Sequence, residues 1–436
     1  MSEFAEKTTT TSSTGQTPEE IAAAVAKRRA ELQAIIDAKK APVQSKKDKK
    51  ADVVEHKFWN TQPVPQAGEQ FEEHGPIDEP KTVADVKPEP YAMPAGFEWV
   101  SLDVQDPAQL EEVYTLLTEN YVEDDDNMFR FDYSKDFLMW ALTPPDFLQQ
   151  WHVGVRTSSN NKLVALITAV PADIRVHSSV EKMVEINFLC VHKKIRSKRL
   201  APVLIKEVTR RVNLENRWQA VYTAGVVLPK PVARCQYFHR SINPKKLFEV
   251  GFSRLSARSS LAKTVKRLKL PDRTRADWEH MEPRDVPKVT ELLTNYLTRT
   301  KLCPVLSEAD VEHWLLPRTG VINSYVIRNS NDEVTDFTSF YHLPSTIIGN
   351  AKHNILRAVY AYYNVGTTMT IEDVMRDALI LARNLHVDVF NALDLMENKT
   401  FFEALKFGPG DGHLQYYLYN WKCPEISCPE TGLVLL

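Results

Sequence analysis

The sequence states one order of elements twice, and any fold for this chain has to place both copies. One helix begins after Asp106-Pro107, with Leu110, Val113, Tyr114, Leu117 and Tyr121 on one face. Another begins after Glu282-Pro283, with Val289, Leu292, Leu293 and Tyr296 placed likewise. Both follow the 3.6-residue spacing of an amphipathic helix. Leu116-Leu117-Thr118 recurs as Leu292-Leu293-Thr294, an offset of 176 residues (116 to 292). A hairpin follows each helix: Trp151–Val155 with Leu163–Val170, ending at Pro171, and Tyr325–Arg328 with Val334–His342, ending at Pro344. Next come a strand and an amphipathic helix, Val184–Val191 with Leu200–Val212, then Leu356–Tyr363 with Ile371–Leu385. A further strand follows in each copy, Ala220–Val226 and Val387–Leu393. Each copy closes with a helix-like segment and a final strand, expected near Phe248–Phe252 and Phe402–Phe407. Such a duplication implies two similar units stacked side by side into one pseudo-symmetric body.

The copies differ in one loop. The first reads Val191-His192-Lys193-Lys194-Ile195-Arg196-Ser197-Lys198-Arg199-Leu200-Ala201-Pro202, and the second Asn364-Val365-Gly366-Thr367-Thr368-Met369-Thr370, without a Lys or Arg. The order of elements resembles the GNAT acetyltransferase fold. That resemblance implies that the loop cradles the pyrophosphate of CoA with N–H groups at a helix N-terminus. One CoA site is then expected, in the first copy. Read without the resemblance, the basic loop is equally an ordinary solvated turn.

Composition narrows the class. Hydrophobic residues are 43% and charged residues 25%, the balance of a globular protein with a sizeable core. The formal net charge of −3 gives the whole chain no electrostatic case for nucleic acid. Five scattered cysteines suit a reducing compartment better than a disulfide framework. Cys423 and Cys428 are close but no histidine pair accompanies them, so no metal site is expected. The N-terminus lacks the order of a signal peptide, and no apolar run reaches the ~20 residues of a membrane span, so a cytoplasmic protein is expected. Residues 1–54 read as a disordered basic tail: a Thr/Ser run, a helix over Pro18–Lys39 without a broad apolar face, and a cluster from Lys39 to Lys50. Two readings of it stand, a solvated tail and an arm for ribosomal RNA or another polyanion. Residues 55–260 and 261–436 form the two halves.

Longer motifs are more specific. Glu185-Ile186-Asn187-Phe188-Leu189-Cys190-Val191-His192 running on to Pro202, Lys406-Phe407-Gly408-Pro409-Gly410-Asp411-Gly412, His56-Lys57-Phe58-Trp59-Asn60-Thr61-Gln62-Pro63-Val64, and the ending Gly432-Leu433-Val434-Leu435-Leu436 together resemble the eukaryotic N-myristoyltransferases. The resemblance covers about Lys57 to Leu436. It implies an α/β (α+β) fold of two pseudo-symmetric GNAT-like halves around a large saddle-shaped mixed β-sheet. It implies a monomer that transfers myristate from the co-substrate myristoyl-CoA to the N-terminal glycine of proteins, with no prosthetic group and no metal. The first half would hold the acyl-CoA through His56, Lys57, Phe58, Trp59, Leu189, Cys190, Val191, Ser197, Lys198, Arg199, Leu200 and Ala201. Backbone N–H groups of Phe188 and Leu189 would receive the thioester oxyanion, where fixed donors act without reorganising. Asp124, Asp125, Asp126, Phe129, Asn187, Thr223, Tyr237, His239, Ser345 and Asp394 match positions around the acceptor peptide.

The attacking amine has to be neutral, and a free α-amino group has a pKa near 7.7–8.0. The family resemblance assigns the proton to the chain-terminal carboxylate, here that of Leu436. An α-carboxylate is a weak base unless burial raises its pKa. The apolar ending would carry it inward; it also reads as a plain terminal strand with its carboxylate at the rim. Cys190 could in principle form an acyl thioester, but buried thiols are usually inert. Two rivals stand beside this reading: a GNAT-type acetyltransferase of lysine or a small amine, and a non-catalytic ribosome-associated adapter that binds acyl-CoA.

Overall fold

The structure is a computed structural model that describes residues 56–123, 127–255 and 260–436. The basic tail with its expected helix, and Asp124, Asp125 and Asp126, lie outside the described residues. Residues His56–Leu436 form one compact unit. Among the described residues no helix is long and apolar enough to cross a membrane.

Sixteen strands are described: β1 Phe97–Ser101, β2 Phe129–Phe131, β3 His152–Thr157, β4 Leu163–Val176, β5 Ser179–Val191, β6 Ala220–Ala224, β7 Ala233–Ser241, β8 Glu279–His280, β9 Leu302–Pro304, β10 Ile322–Arg328, β11 Val334–His342, β12 Ser345–Ile347, β13 Ile355–Leu356, β14 Ala358–Val365, β15 Val389–Leu393 and β16 Gly408–Tyr419. Twelve follow one another in a single mixed sheet, in the order β1-β3-β4-β5-β6-β16-β7-β15-β14-β11-β10-β8, with β9 on the edge of β4. The order is a palindrome once β1 is matched to β8, β3 to β10, β4 to β11, β5 to β14, β6 to β15 and β7 to β16. The equivalent pairs β5–β6 and β14–β15 are the parallel ones. The expected α/β class with a large mixed sheet is therefore what the chain adopts. Each copy's last strand pairs inside the other copy: β16 lies between β6 and β7, and β7 between β16 and β15.

The repeated helices start where their caps require. Asp106 accepts from the Ala108 N–H at 2.9 Å and opens Pro107–Asn120. Thr370 accepts from the Asp373 N–H at 3.2 Å and opens Ile371–Asn384. The second copy's first helix begins with a 3-10 turn at Pro283–Asp285 and continues as Val286–Leu297. The main apolar cluster joins both copies, running from Leu102 and Phe188 to Leu433, Val434 and Leu435.

Two expectations need correction. Pro171 does not end its strand: β4 continues to Val176, and Pro171 sits opposite Val184 of β5. On its other side β4 has no strand partner there, since β3 pairing stops at Thr168 and β9 pairing starts at Ile174. A missing N–H is tolerated at such a half-edge. Nor are Phe248–Phe252 and Phe402–Phe407 the closing strands. Pro244–Glu249 is a helix capped by Asn243, and Gly251 at φ +78° turns the chain after it. Lys399–Phe402 is also helical, and Lys406 at φ +63° bars extension until Gly408. The closing strands are β7 and β16.

Candidate active site

The site is built on an irregularity in β5. Register with β4 runs Thr168 to Asn187, then Leu166 to Cys190, so Phe188 and Leu189 have no Cα partner in that ladder. Phe188 stands at φ +54°, the left-handed region that a bulky residue seldom occupies. A bulge of this kind turns backbone N–H groups out of the ladder. The Phe188 side chain pays for none of this exposure, being 1% accessible among Tyr121 and Tyr133, while Leu189 is 37% exposed.

Two cavities meet at the bulge. The larger, about 880 Å³, lies against Ile186 and Phe188 and is walled by Ile205, Val208, Thr209 and Val212 of the helix Leu200–Leu214. Trp59 and Tyr222 close part of it, stacked at 5.6 Å with planes 10° apart. Asp411, Gly412 and His413 of β16 complete the wall. The second, about 720 Å³, is lined by Lys193, Arg196, Arg199, Leu200, Ala201 and Pro202, with Cys190 and Val191 beside them. Tyr121, Val122, Glu123 and Leu189 line both. Arg199, at φ +55°, is the N-cap of the helix Leu200–Leu214, so that helix begins at the basic cavity. Helix N-terminal N–H groups and three cations make the cavity suited to phosphate. The loop is pinned by Lys193 N–H donating to Asn120 Oδ1 at 3.0 Å and Arg196 donating to Asn120 O at 2.7 Å. Glu123 accepts from Lys193 and Arg130, which hold its carboxyl below its ordinary value.

The chain end reaches the same place. Leu433, Val434 and Leu435 are buried, and Leu436 packs on the main core. Tyr416 donates to Leu433 O at 2.9 Å and Tyr363 to Gly432 O at 3.2 Å. Gly432 packs closely: a Cβ there would stand 2.8 Å from Thr300 Oγ1 and 2.9 Å from Leu297 Cδ2, so those side chains would have to shift. Asn187 Nδ2 donates to the Leu436 main-chain oxygen at 2.6 Å, and Asn187 Oδ1 accepts from the Phe188 N–H at 2.8 Å. One amide side chain thus links the chain end to the bulge, in the only orientation that serves both partners.

The family model for the N-terminal domain of myristoyl-CoA:protein N-myristoyltransferase matches residues 76–235, and that for its C-terminal domain matches 249–431. The chain belongs to the N-myristoyltransferase family. It is 58% identical to glycylpeptide N-tetradecanoyltransferase 2 of Bos taurus over 381 residues, 87% of this chain and 76% of that protein. It is 55% identical to glycylpeptide N-tetradecanoyltransferase 1 of Arabidopsis thaliana over 395 residues, covering 89% and 91%. Its structure is similar to that of Saccharomyces cerevisiae N-myristoyltransferase with bound myristoyl-CoA, with a TM-score of 0.85 and 41% identity over 88% of this chain and 100% of that one.

The remaining site residues expected of an N-myristoyltransferase fall in several places. Asn187 and Thr223 line the larger cavity. His56, Lys57 and Phe58 lead into the 3-10 turn Trp59–Thr61, and of the four only Trp59 lines a cavity. Ser197 and Lys198 are exposed in the loop before Arg199. Cys190 is buried, which pushes its thiol up to about 12 and leaves it a poor nucleophile. Phe129 of β2 pairs with Ile347, and Ser345 of β12 with Phe131, in a separate three-stranded sheet with β13. Tyr237 and His239 lie on β7, where His239 meets Asn391 Oδ1 at 2.7 Å and burial lowers its pKa. Gly410 is close-packed there, since a Cβ would come 2.2 Å from His239 Nε2. Asp394 does not reach either cavity; it accepts from the Gln236 N–H at 2.7 Å.

Sequence reasoning read Glu123 only as the start of an acidic run at the peptide; it missed Tyr121, which with Glu123 joins the two cavities, and the apolar wall of Ile205, Val208 and Val212. That wall carries a helical period that reads the same for a core face and for a cavity face. It also missed Glu185, two residues before Asn187, whose carboxyl burial raises to about 7.

Proposed function

We propose that this chain transfers myristate from myristoyl-CoA to the N-terminal glycine amine of proteins, with the Leu436 carboxylate as proton acceptor and the bulged backbone at Phe188 and Leu189 as oxyanion donors, the Phe188 N–H being shared between Asn187 Oδ1 and the oxyanion as charge develops. Residues 55–260 supply the acyl-CoA site, and residues 261–436 supply the carboxylate and bind the peptide together with residues of the first half such as Asn187, Thr223 and Tyr237. The apolar cavity takes the acyl chain. Each buried methylene contributes ~0.8 kcal/mol, so a chain two carbons shorter loses ~1.6 kcal/mol, about 15-fold in affinity. The basic cavity takes the CoA phosphates, and Leu189, common to both, places the thioester between them.

At pH 7 only about a tenth of an α-amine is neutral, so a proton acceptor beside it raises the reactive fraction. Nitrogen then attacks the thioester carbon, the N–C bond forms and the C–S bond breaks. The proton shed by nitrogen passes through the Leu436 carboxylate to the departing CoA thiolate. Charge gathers on the thioester oxygen during attack, and a donor already aimed there contributes roughly 10²–10³ in rate. The observation that carries this reading is the Asn187 amide, bonded to the chain end and to the bulge at the junction of an apolar and a basic cavity.

The test uses a Gly-initiated peptide, myristoyl-CoA, and two proteins: the full chain and one lacking Leu435-Leu436. The full chain acylates the amine and prefers myristoyl-CoA to acetyl-CoA. The truncated protein keeps acyl-CoA affinity and loses most of kcat. An undiminished kcat after truncation removes the carboxylate from the mechanism, and faster acetyl transfer favours the GNAT-type acetyltransferase instead.

A further inference from the structure

We propose that Cys235, Asp394 and Cys428 form a binding site for a divalent ion of the zinc class, ligated by two thiolates and one carboxylate, at the root of the C-terminal tail. Their sulfur and carboxylate ligand atoms all lie within 4.8 Å of one another, the one such group among the described residues. They come from three separate stretches of chain: Cys235 from β7, Asp394 from the turn after β15, and Cys428 from the 3-10 turn Cys428–Glu430. Cys428 thus meets Cys235 and not its sequence neighbour Cys423.

The framework around these three atoms is fixed by backbone bonds. Gln236 N–H donates to Asp394 Oδ1 at 2.7 Å, and Asp394 N–H returns a bond to Gln236 O at 3.1 Å. The first bond orients the carboxylate and leaves its other oxygen for an ion, as outer partners of metal ligands commonly do. Met396 and Thr431 N–H groups both donate to Cys428 O, at 3.1 and 3.0 Å. The Cys428 S–H donates to Arg234 O at 3.1 Å, a bond that ligation exchanges for the sulfur–metal bond. Zn–S bonds of ~2.3 Å and a Zn–O bond of ~2.0–2.2 Å in tetrahedral array set ligand atoms roughly 3.5–3.8 Å apart. Side-chain movements of about 1 Å reach that geometry from the present spacing. Two sulfurs select a borderline-soft ion over magnesium or calcium. Binding is balanced by proton release: the ion replaces one proton on each thiol. Cys235 is fully buried while Asp394 and Cys428 are half-buried, so the fourth position opens outward to water. Thr431 begins the tail three residues beyond Cys428, so an ion here clamps the segment that carries Leu436 to β7.

The experiment uses the metal-free, phosphine-reduced full chain without acyl donor, so its failure leaves the acyl-transfer reading untouched. Cadmium, then cobalt, is titrated while the sulfur-to-metal charge-transfer absorption is followed, with zinc competing afterwards. One equivalent saturates the band, two protons are released per ion, and zinc displaces the probe. Cys428→Ser and Cys235→Ser each abolish the band, Asp394→Asn weakens it, and Cys190→Ser, Cys303→Ser and Cys423→Ser leave it intact. Cys428 is half-buried, so its serine variant is the one that keeps its fold, checked by thermal melting. A wild-type chain with no band at one equivalent, or a Cys428→Ser protein with the wild-type band, overturns the proposal.

Discussion

Replacing Asn187 by leucine separates the chain end from the bulge while keeping the side chain's bulk. Two hydrogen bonds disappear, the 2.6 Å bond to the Leu436 oxygen and the 2.8 Å bond from the Phe188 N–H. The bond from Thr168 Oγ1 to Asn187 O, at 2.9 Å, uses the backbone and survives. A hydrogen bond to an ionised group contributes ~1.5–3 kcal/mol, and each 1.36 kcal/mol is tenfold in rate, so kcat should fall by about 10- to 150-fold. Asn187 is half-buried, which favours the lower part of that range. Loss of a donor that favours the charged carboxylate raises its pKa, so the acid limb of the kcat profile moves to higher pH. The walls formed by Ile205, Val208 and Val212 are untouched, so KM for myristoyl-CoA stays near wild type. Single-turnover acylation of a Gly-initiated peptide across pH, with a thermal melt on the same preparation, measures all three. A folded variant whose kcat stays within about twofold refutes the role given to the amide. A fall in kcat matched by a rise in KM for myristoyl-CoA refutes it differently, by placing Asn187 in the acyl site alone.

Glu185→Gln tests the buried carboxyl. A carboxyl raised from 4.5 to about 7 in the fold gives stability that is complete below pH 4.5 and lost as pH rises through 7. The variant should therefore gain up to ~3 kcal/mol over wild type at pH 8 and little at pH 4, in denaturant melts at both values. Arg199→Glu places a negative charge at the basic cavity; KM for myristoyl-CoA should rise roughly tenfold with kcat spared, and the salt dependence of KM should weaken. Ile205→Phe shortens the apolar cavity, so the lauroyl-to-myristoyl ratio of kcat/KM should rise by about tenfold, measured by competition between the two donors.

The duplication was legible because its signals are strong ones: amphipathic helices with caps at Asp106 and Thr370, and hairpins between them. The closing strands were not. Phe248, Val250 and Phe252 alternate like a strand, but Asn243 and Pro244 nucleate a helix ahead of them, and only a hydrogen-bond geometry decides between the two. In β4, a proline that looks like a stop is harmless because it falls in the gap between β3 and β9, a fact of tertiary pairing. For the site, the charge of Lys193, Arg196 and Arg199 could be read directly, whereas the bulge could not. Nothing in Asn187-Phe188-Leu189 announces a positive φ at a phenylalanine. The same holds for Asn187 as a bridge, since its partner Leu436 is 249 residues away.

The palindromic sheet explains how that distance is closed. Were each copy to keep its own last strand beside its own penultimate one, β16 would lie next to β15 and the chain end would leave from the second copy. Instead β16 pairs with β6 from Ala220 to Ala224, one strand from β5, so its last residues run out beside the first copy's central strand. Seventeen residues then remain after Tyr419, and they stay attached by main-chain bonds: Asn420 N–H to Pro63 O at 2.7 Å, Lys422 to Gly75, and Gly432 to Leu302. The exchange of strands thus brings the end of one copy to the bulge of the other. A duplication with both ends kept at home would carry the basic loop and the bulge, but β16 would start one strand, about 4.8 Å, further from β5, and β7 would stand between its end and the strand that carries Asn187.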